Sequence, residues 1–124
     1  MSHAKMPLYA IGAFRMVGGL STWVAPNLLA RTYGAEAFKG DSLLWSRMAG
    51  SREAALAVGP LVSEGEERRS WLVLGLVCDF ADMAATVVVN RDRPFSRGTA
   101  LALATYTVSA LLTAGALKAV GLRE

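Results

Sequence analysis

The sequence predicts an all-α protein, folded as an up-down bundle of four transmembrane helices. The 124-residue chain is 53% hydrophobic and only 19% charged, which places it on the apolar side of ordinary soluble domains. Four apolar stretches of near membrane-spanning length follow one another, near residues 7–29, 42–62, 70–89 and 98–119. The links between them are short, so we expect consecutive helices to pack antiparallel.

The polar links give the expected helix ends. They read "RTYGAEAFKGD", "SEGEERRS" and "NRDRPFSRG", and such runs are typical of turns. Asp41 or Ser42 is the expected N-cap of the second helix, and Ser70 that of the third. Arg15 interrupts the first apolar run, whereas a signal peptide keeps this run unbroken, so we expect the first helix to be retained. The length suits one compact unit, and residues 1–124 are therefore predicted to form a single four-helix membrane domain.

The charged residues leave an alternative fold open. Only the fourth segment, "GTALALATYTVSALLTAGAL", is free of charge, so a soluble all-α bundle remains the second hypothesis. Against it, the first, third and fourth helices lack the continuous charged face of a soluble amphipathic helix. We expect an integral protein of the bacterial cell membrane with both termini cytoplasmic. The basic residues do not fix this orientation, since five fall on each side: Lys5, Arg68, Arg69, Lys118 and Arg123 against Arg31, Lys39, Arg91, Arg93 and Arg97.

Six charged residues lie inside the predicted spans. An isolated charge at the bilayer centre costs at least about 2.5–3.5 kcal/mol, so we expect these charges to pair inside the bundle. From the depth of each residue along its helix, Asp82 is predicted to pair with Arg47. Asp79 and Glu53 are left to share the other two arginines. The six are Arg15, Arg47, Arg52, Glu53, Asp79 and Asp82.

Residue spacing predicts which helix faces turn inward. Steps of four, three and four residues put Gly75, Asp79, Asp82 and Thr86 on one stripe of the third helix. The fourth helix has its own polar stripe of Tyr106, Ser109 and Thr113. Glycines allow helices to approach closely in membrane bundles, and those expected to do so are Gly12, Gly18, Gly19, Gly50, Gly59 and Gly75.

Three features carry a resemblance to known proteins. They are an arginine followed by glycine and a proline near the end of the first helix, "SRMAGSREAALAVG" on the second helix and "CDFADMAAT" on the third. Together they resemble the small four-helix integral membrane proteins of an uncharacterised bacterial family, and the chain is loosely similar to the DoxX-like proteins. The resemblance implies a four-span bundle and no established activity, and no catalytic residue is carried over from it.

The buried charges allow an enzymatic hypothesis. A carboxyl group kept neutral beside one kept ionised by arginine can act as an acid and base pair. Such a site would isomerise a lipophilic small molecule, open its epoxide or cyclise it. A cavity of roughly 300 Å³ or more that reaches the charges would support this hypothesis. The expected catalytic residues are Asp79, Asp82, Glu53 and Tyr106, and the expected substrate-binding or charge partners are Arg15, Arg47, Arg52, Ser109 and Thr113.

Two other functions are open: a non-catalytic structural or accessory membrane protein, and a small proton or solute transporter. A diphosphate or metal site at Asp79 and Asp82 is disfavoured because the chain has no second acidic motif. The single cysteine, Cys78, excludes an internal disulfide, and with His3 as the single histidine no zinc site is expected. We predict no cofactor and no metal. The expected partners are the lipid bilayer, a lipophilic substrate and a second copy of the chain, but not nucleic acid.

Overall fold

The computed structural model of the protein describes residues 5–34 and 40–121, which form five α-helices and no strand. The all-α prediction is confirmed, whereas the number of helices is five instead of four. Three residues named above, His3, Lys39 and Arg123, lie outside the described residues. The helices are α1 (Met6–Val24), α2 (Pro26–Tyr33), α3 (Gly40–Val62), α4 (Gly65–Asn90) and α5 (Arg97–Gly121).

The fifth helix arises because the first predicted segment is divided at Pro26. Ala25 has φ −133° and ψ 51°, which is outside the helical region, and the residue before a proline disfavours the helical conformation. Pro26 then occupies the first turn of α2, where its missing N–H is harmless. The result is a 19-residue α1 and an eight-residue α2 in place of one helix over 7–29.

The other three segments match their predicted helices, but both N-cap predictions are wrong. Asp41 and Ser42 lie inside the first turn of α3, which begins at Gly40. Ser70 is not an N-cap, because α4 begins at Gly65 with Glu64 as the capping position. Part of the predicted link is therefore the first turn of the helix. Glu66 and Glu67 lie in that turn, where carboxylates interact favourably with the helix dipole.

The four long helices form a closed ring of neighbours. α1 packs against α3 and α5, and α4 packs against the same two helices. Neighbouring helices run in opposite directions. Along α1 and α3, for example, Gly12 lies next to Leu61 and Gly19 next to Gly50. The short α2 lies outside this ring, against α5 and α1.

Glycines allow the closest helix contact, between α1 and α3. A Cβ atom at Gly19 would lie 2.5 Å from the carbonyl oxygen of Gly50, so no side chain fits between the two backbones. The prediction of close approach is confirmed for these two residues. It is wrong for Gly18, whose Cβ position has no atom within 4 Å.

The bundle has an apolar interior at the end that holds the start of α1. Leu8 and Ile11 of α1 pack there with Leu72, Ala116 and Val120. Toward the middle of the helices the interior becomes polar, since Arg15, Asp79, Ser109 and Thr113 are all buried. The apolar cluster therefore closes one end of the bundle, and the polar residues occupy its centre.

Among the described residues, α4 and α5 are the two helices long and apolar enough to cross a membrane. Four spans are expected from the sequence, but α1 is interrupted by Arg15 and is not one of these two helices. Helix α3 carries Arg47, Arg52 and Glu53. In the apolar 18-residue stretch of each helix, only 17% of α4 and 22% of α5 is buried. A core helix of a soluble protein buries most of its apolar surface instead. The membrane prediction is thus supported by two helices.

Candidate functional site

The site is built around the guanidinium group of Arg15, which lies on α1 and is only 3% exposed. Its Nη1 donates to Oε2 of Glu53 at 2.7 Å and to Oδ1 of Asp79 at 3.0 Å. Its Nη2 donates to Oδ2 of Asp79 at 2.8 Å and to Oγ1 of Thr113 at 3.0 Å. One side chain therefore binds α3, α4 and α5 at once, and its contact with Asp79 is bidentate.

Gly75 makes room for this guanidinium on α4. A Cβ atom there would lie 2.7 Å from Nη2 of Arg15 and 3.3 Å from its Cζ. Gly75 and Asp79 are four residues apart, so they lie on one face of α4, with the glycine beneath the arginine and the carboxylate beside it. Any larger residue at position 75 would displace the arginine from its bidentate partner.

Asp79 is completely buried and fully hydrogen-bonded. Besides Arg15, it accepts a bond from Oγ of Ser109 at 2.9 Å, and its exposure is 0%. Thr113, also 0% exposed, accepts from Arg15 and donates to the carbonyl oxygen of Ser109 at 2.8 Å. We call Arg15, Asp79, Ser109 and Thr113 the inner half of the network. Its charged groups are shielded from water, and charge-assisted hydrogen bonds of this kind compensate for that loss of water around both ions.

The outer half of the network is less complete. Arg52 on α3 makes an ion pair with Asp82 on α4, and its Nη2 lies 3.8 Å from Oε1 of Glu53. The side chain of Arg52 is 40% exposed, and those of Glu53 and Asp82 are each 18% exposed. Nε of Arg52 and Oε1 of Glu53 are nevertheless buried without a hydrogen-bond partner among the described residues.

Arg47 does not join the network, so the predicted pair of Arg47 with Asp82 is wrong. Nε of Arg47 donates to the carbonyl oxygen of Thr22 at 3.4 Å, and its guanidinium lies 5.4 Å from the ring centroid of Trp23. Arg47 and Arg52 are five residues apart on α3, which turns them about 140° from each other around the helix. Arg52 therefore faces α4, whereas Arg47 faces the end of α1.

Because Arg47 is not part of the network, the net charge of the network differs from the prediction. The sequence predicts three positive and three negative groups there, but the connected network holds two arginines and three carboxylates. Its formal charge is therefore −1 when every group is ionised. The half-buried Tyr106 of α5 lies within electrostatic range of Asp82 and Arg52 at the outer half.

The structure thus brings together eight of the nine predicted site residues. Arg15, Glu53, Asp79, Ser109 and Thr113 are joined by hydrogen bonds. Arg52 and Asp82 form the outer ion pair, with Tyr106 nearby. Thr22 and Trp23, which hold Arg47, are not among the predicted residues. The sequence does contain a signal for this contact. Thr22 and Trp23 lie at the end of α1, and Arg47 lies near the start of α3, so antiparallel packing of the two helices brings them together.

Two surface grooves lie away from these charges. One, of about 410 Å³, is lined by Glu66, Arg69, Ser70, Val73, Leu74 and Val77 on the outer face of α4. The other, of about 160 Å³, shares Ser70 and Leu74 with it. Neither groove is lined by a residue of the network. In residues 5–34 and 40–121, no three His, Cys, Asp or Glu side chains come together as a metal ion requires.

Comparison of the chain with protein-family models, with curated proteins and with solved structures finds no match. The resemblance to DoxX-like membrane proteins therefore stays a prediction. The function has to be inferred from the chemistry of the site and the surface of the bundle.

Substitution of two carboxylates tests the division into inner and outer halves. Asp79→Asn leaves Arg15 without its bidentate anion, and removal of one partner from a buried pair costs about 3–5 kcal/mol of unfolding free energy. Glu53→Gln removes the excess negative charge and keeps an acceptor for Arg15, so we expect a loss below about 1 kcal/mol. Denaturant titration followed by circular dichroism measures both. Equal losses for the two variants would contradict the assignment.

Proposed function

We propose that the chain is an integral membrane protein with a structural or accessory, non-catalytic role. Its four long helices would cross the bilayer as an up-down bundle, with α2 lying outside that bundle. The single observation that carries the proposal is that polar side chains are buried at the centre of the bundle, whereas large apolar side chains are exposed on its surface. Asp79 and Thr113 are 0% exposed inside, whereas Val24 is 81% and Leu111 68% exposed on the surface.

The exposed positions of all four long helices support four spans. Every exposed residue is uncharged over residues 6–24 of α1, 42–62 of α3, 70–89 of α4 and 98–117 of α5. Each range is about 20 residues long, or about 30 Å at 1.5 Å per residue, which matches the hydrocarbon core of a bilayer. Arg15 points inward, and the charged residues of α3 within this range are partly buried against α1 and α4, so an average over the whole helix understates how apolar the outer surfaces are.

The geometry of the centre favours a structural role. The bonds of Arg15 reach three other helices, and its inner partners leave no exposed face to a substrate. The two grooves described above lie on the outside of α4, away from the charges. An interior of this kind specifies which helices meet and in what register, because an ion without its partner is strongly disfavoured in a bilayer.

Proton handling is a second candidate function, and the outer half of the network favours it. The network has a formal charge of −1, and Oε1 of Glu53 accepts no hydrogen bond from the described residues, so one added proton there would neutralise the centre. Asp82 and Tyr106 lie on the side where Arg52 is partly exposed. The same groups would serve a proton pathway or acid–base chemistry on a lipophilic molecule, such as isomerisation, epoxide opening or cyclisation.

Membrane extraction tests the proposed class of protein. Because its exposed surface is uncharged over four helix lengths, the chain should stay in the membrane pellet after an alkaline carbonate wash. It should become monodisperse in size-exclusion chromatography only with detergent present. A monodisperse preparation in buffer without detergent would contradict the proposal and favour a soluble all-α bundle.

Infrared difference spectroscopy tests the second candidate. If the network holds one proton at neutral pH, the protein should show the C=O stretch of a protonated carboxyl group. Glu53→Gln should remove that band, and Asp92→Asn, at a side chain that is 89% exposed, should leave it unchanged. Absence of a protonated carboxyl band in the unsubstituted protein, or its persistence in Glu53→Gln, would contradict proton handling at Glu53.

A further inference from the structure

One end of the bundle carries a set of exposed arginines that the charge network does not use. We define the basic rim as Arg31 of α2, Arg91, Arg93 and Arg97 in or beside the α4–α5 connection, and the apolar Leu28 and Phe95. All four arginines are exposed. Leu28 is 59% and Phe95 74% exposed.

Hydrogen bonds hold α2 against the start of α5, so the rim is one surface. Nη2 of Arg97 donates to the carbonyl oxygen of Arg31 at 3.0 Å. The hydroxyl groups of Tyr33 and Thr105 are 2.7 Å apart. Gly98 lies directly against the carbonyl oxygen of Tyr33, where no side chain would fit. Helix α2 and the connection therefore present their arginines together.

The rim is rich in unneutralised positive charge. Arg91 and Asp92 are 3.7 Å apart, but their side chains are 70% and 89% exposed, and such surface pairs contribute little. Asp41, at the start of α3, is the other acidic residue described at this end. The opposite end differs because Arg68 and Arg69 directly follow Glu64, Glu66 and Glu67 in the chain.

The position of Arg91 and Arg93 along the chain, just after the exposed valines of α4, indicates which part of a bilayer these arginines would contact. The last turn of α4 exposes Val87, Val88 and Val89 by 54%, 56% and 65%, and Arg91 and Arg93 follow at once. If α4 crosses the bilayer as proposed above, these valines lie among acyl chains and the arginines at the headgroups. Phe95 lies on the same connection between the two arginine positions 93 and 97, so it stands at this level as well.

We propose that the basic rim binds the phosphate groups of anionic phospholipids, an inference that rests on the proposed membrane function. Guanidinium groups bind phosphate oxygens in a bidentate manner, and an anionic headgroup layer attracts each basic residue near its surface. A lipid monolayer offers phosphates and acyl chains at adjacent levels. That arrangement matches the arginines and the apolar residues beside them, whereas an acidic protein or a nucleic acid offers no layer of acyl chains next to its anionic groups.

The test compares two pairs of charge-removing substitutions. The protein is placed in nanodiscs of phosphatidylcholine alone or mixed with phosphatidylglycerol, and the bound lipids are quantified by native mass spectrometry. Arg91→Gln with Arg93→Gln should weaken the preference for phosphatidylglycerol about thirty-fold, since each basic residue contributes about 1 kcal/mol near an anionic surface. Arg69→Gln with Lys118→Gln removes the same charge from exposed positions at the opposite end and should leave the preference unchanged.

The outcomes distinguish lipid binding at the rim from attraction by net charge and from a site for free anions. Equal losses for the two pairs, or no loss for the rim pair, would overturn the proposal. Competition by inorganic phosphate at the same concentration as the lipid would show a free-anion site and would also overturn it. Failure of the membrane function is recognised separately, since the protein would then leave the membrane pellet in the carbonate wash.

Discussion

The fold depends on one constraint, the burial of the Arg15 guanidinium at the centre of a bundle with an apolar exterior. A buried arginine has five N–H donors and no means of losing its charge, so acceptors have to come from the surrounding helices. Glu53, Asp79 and Thr113 supply them from three helices. Their positions fix the register of α3, α4 and α5 relative to α1.

Such a network gives specificity more readily than stability. Exchange of a buried ion pair for well-packed apolar side chains is often neutral or stabilising, whereas loss of one partner is strongly destabilising. The centre of this bundle therefore disfavours any packing in which Arg15 and Asp79 do not meet. Close contact of α1 with α3 at Gly19 and Gly50 complements it, because helices in lipid associate through small residues and polar contacts.

The sequence predicts the inward stripes of the site well. Steps of three and four residues correctly place Asp79 on the inward stripe of α4, beside Arg15, and put Ser109 and Thr113 on the facing side of α5. These positions are predictable because helical periodicity alone decides which residues share a face. To predict the inner half of the network, one further assumption is enough, namely that neighbouring helices run antiparallel.

The errors have two physical origins. Depth along a helix says nothing of rotation about its axis, and the predicted pair of Arg47 with Asp82 rests on depth alone. The division at Ala25 and the early start of α4 at Gly65 depend on local backbone conformation. Hydropathy averages detect neither, since Pro26 follows an apolar run and the first turn of α4 is charged.

A double-mutant cycle between Arg15 and Asp79 tests the central claim most directly. Arg15→Met, Asp79→Leu and the combination are compared by unfolding free energy. Because Arg15→Met leaves Asp79 buried without its counter-ion and Asp79→Leu leaves Arg15 without its bidentate partner, the account predicts that the double variant is more stable than either single variant, with a coupling energy of about 3 kcal/mol or more. Additive effects within about 0.5 kcal/mol would contradict a fold organised around this ion pair.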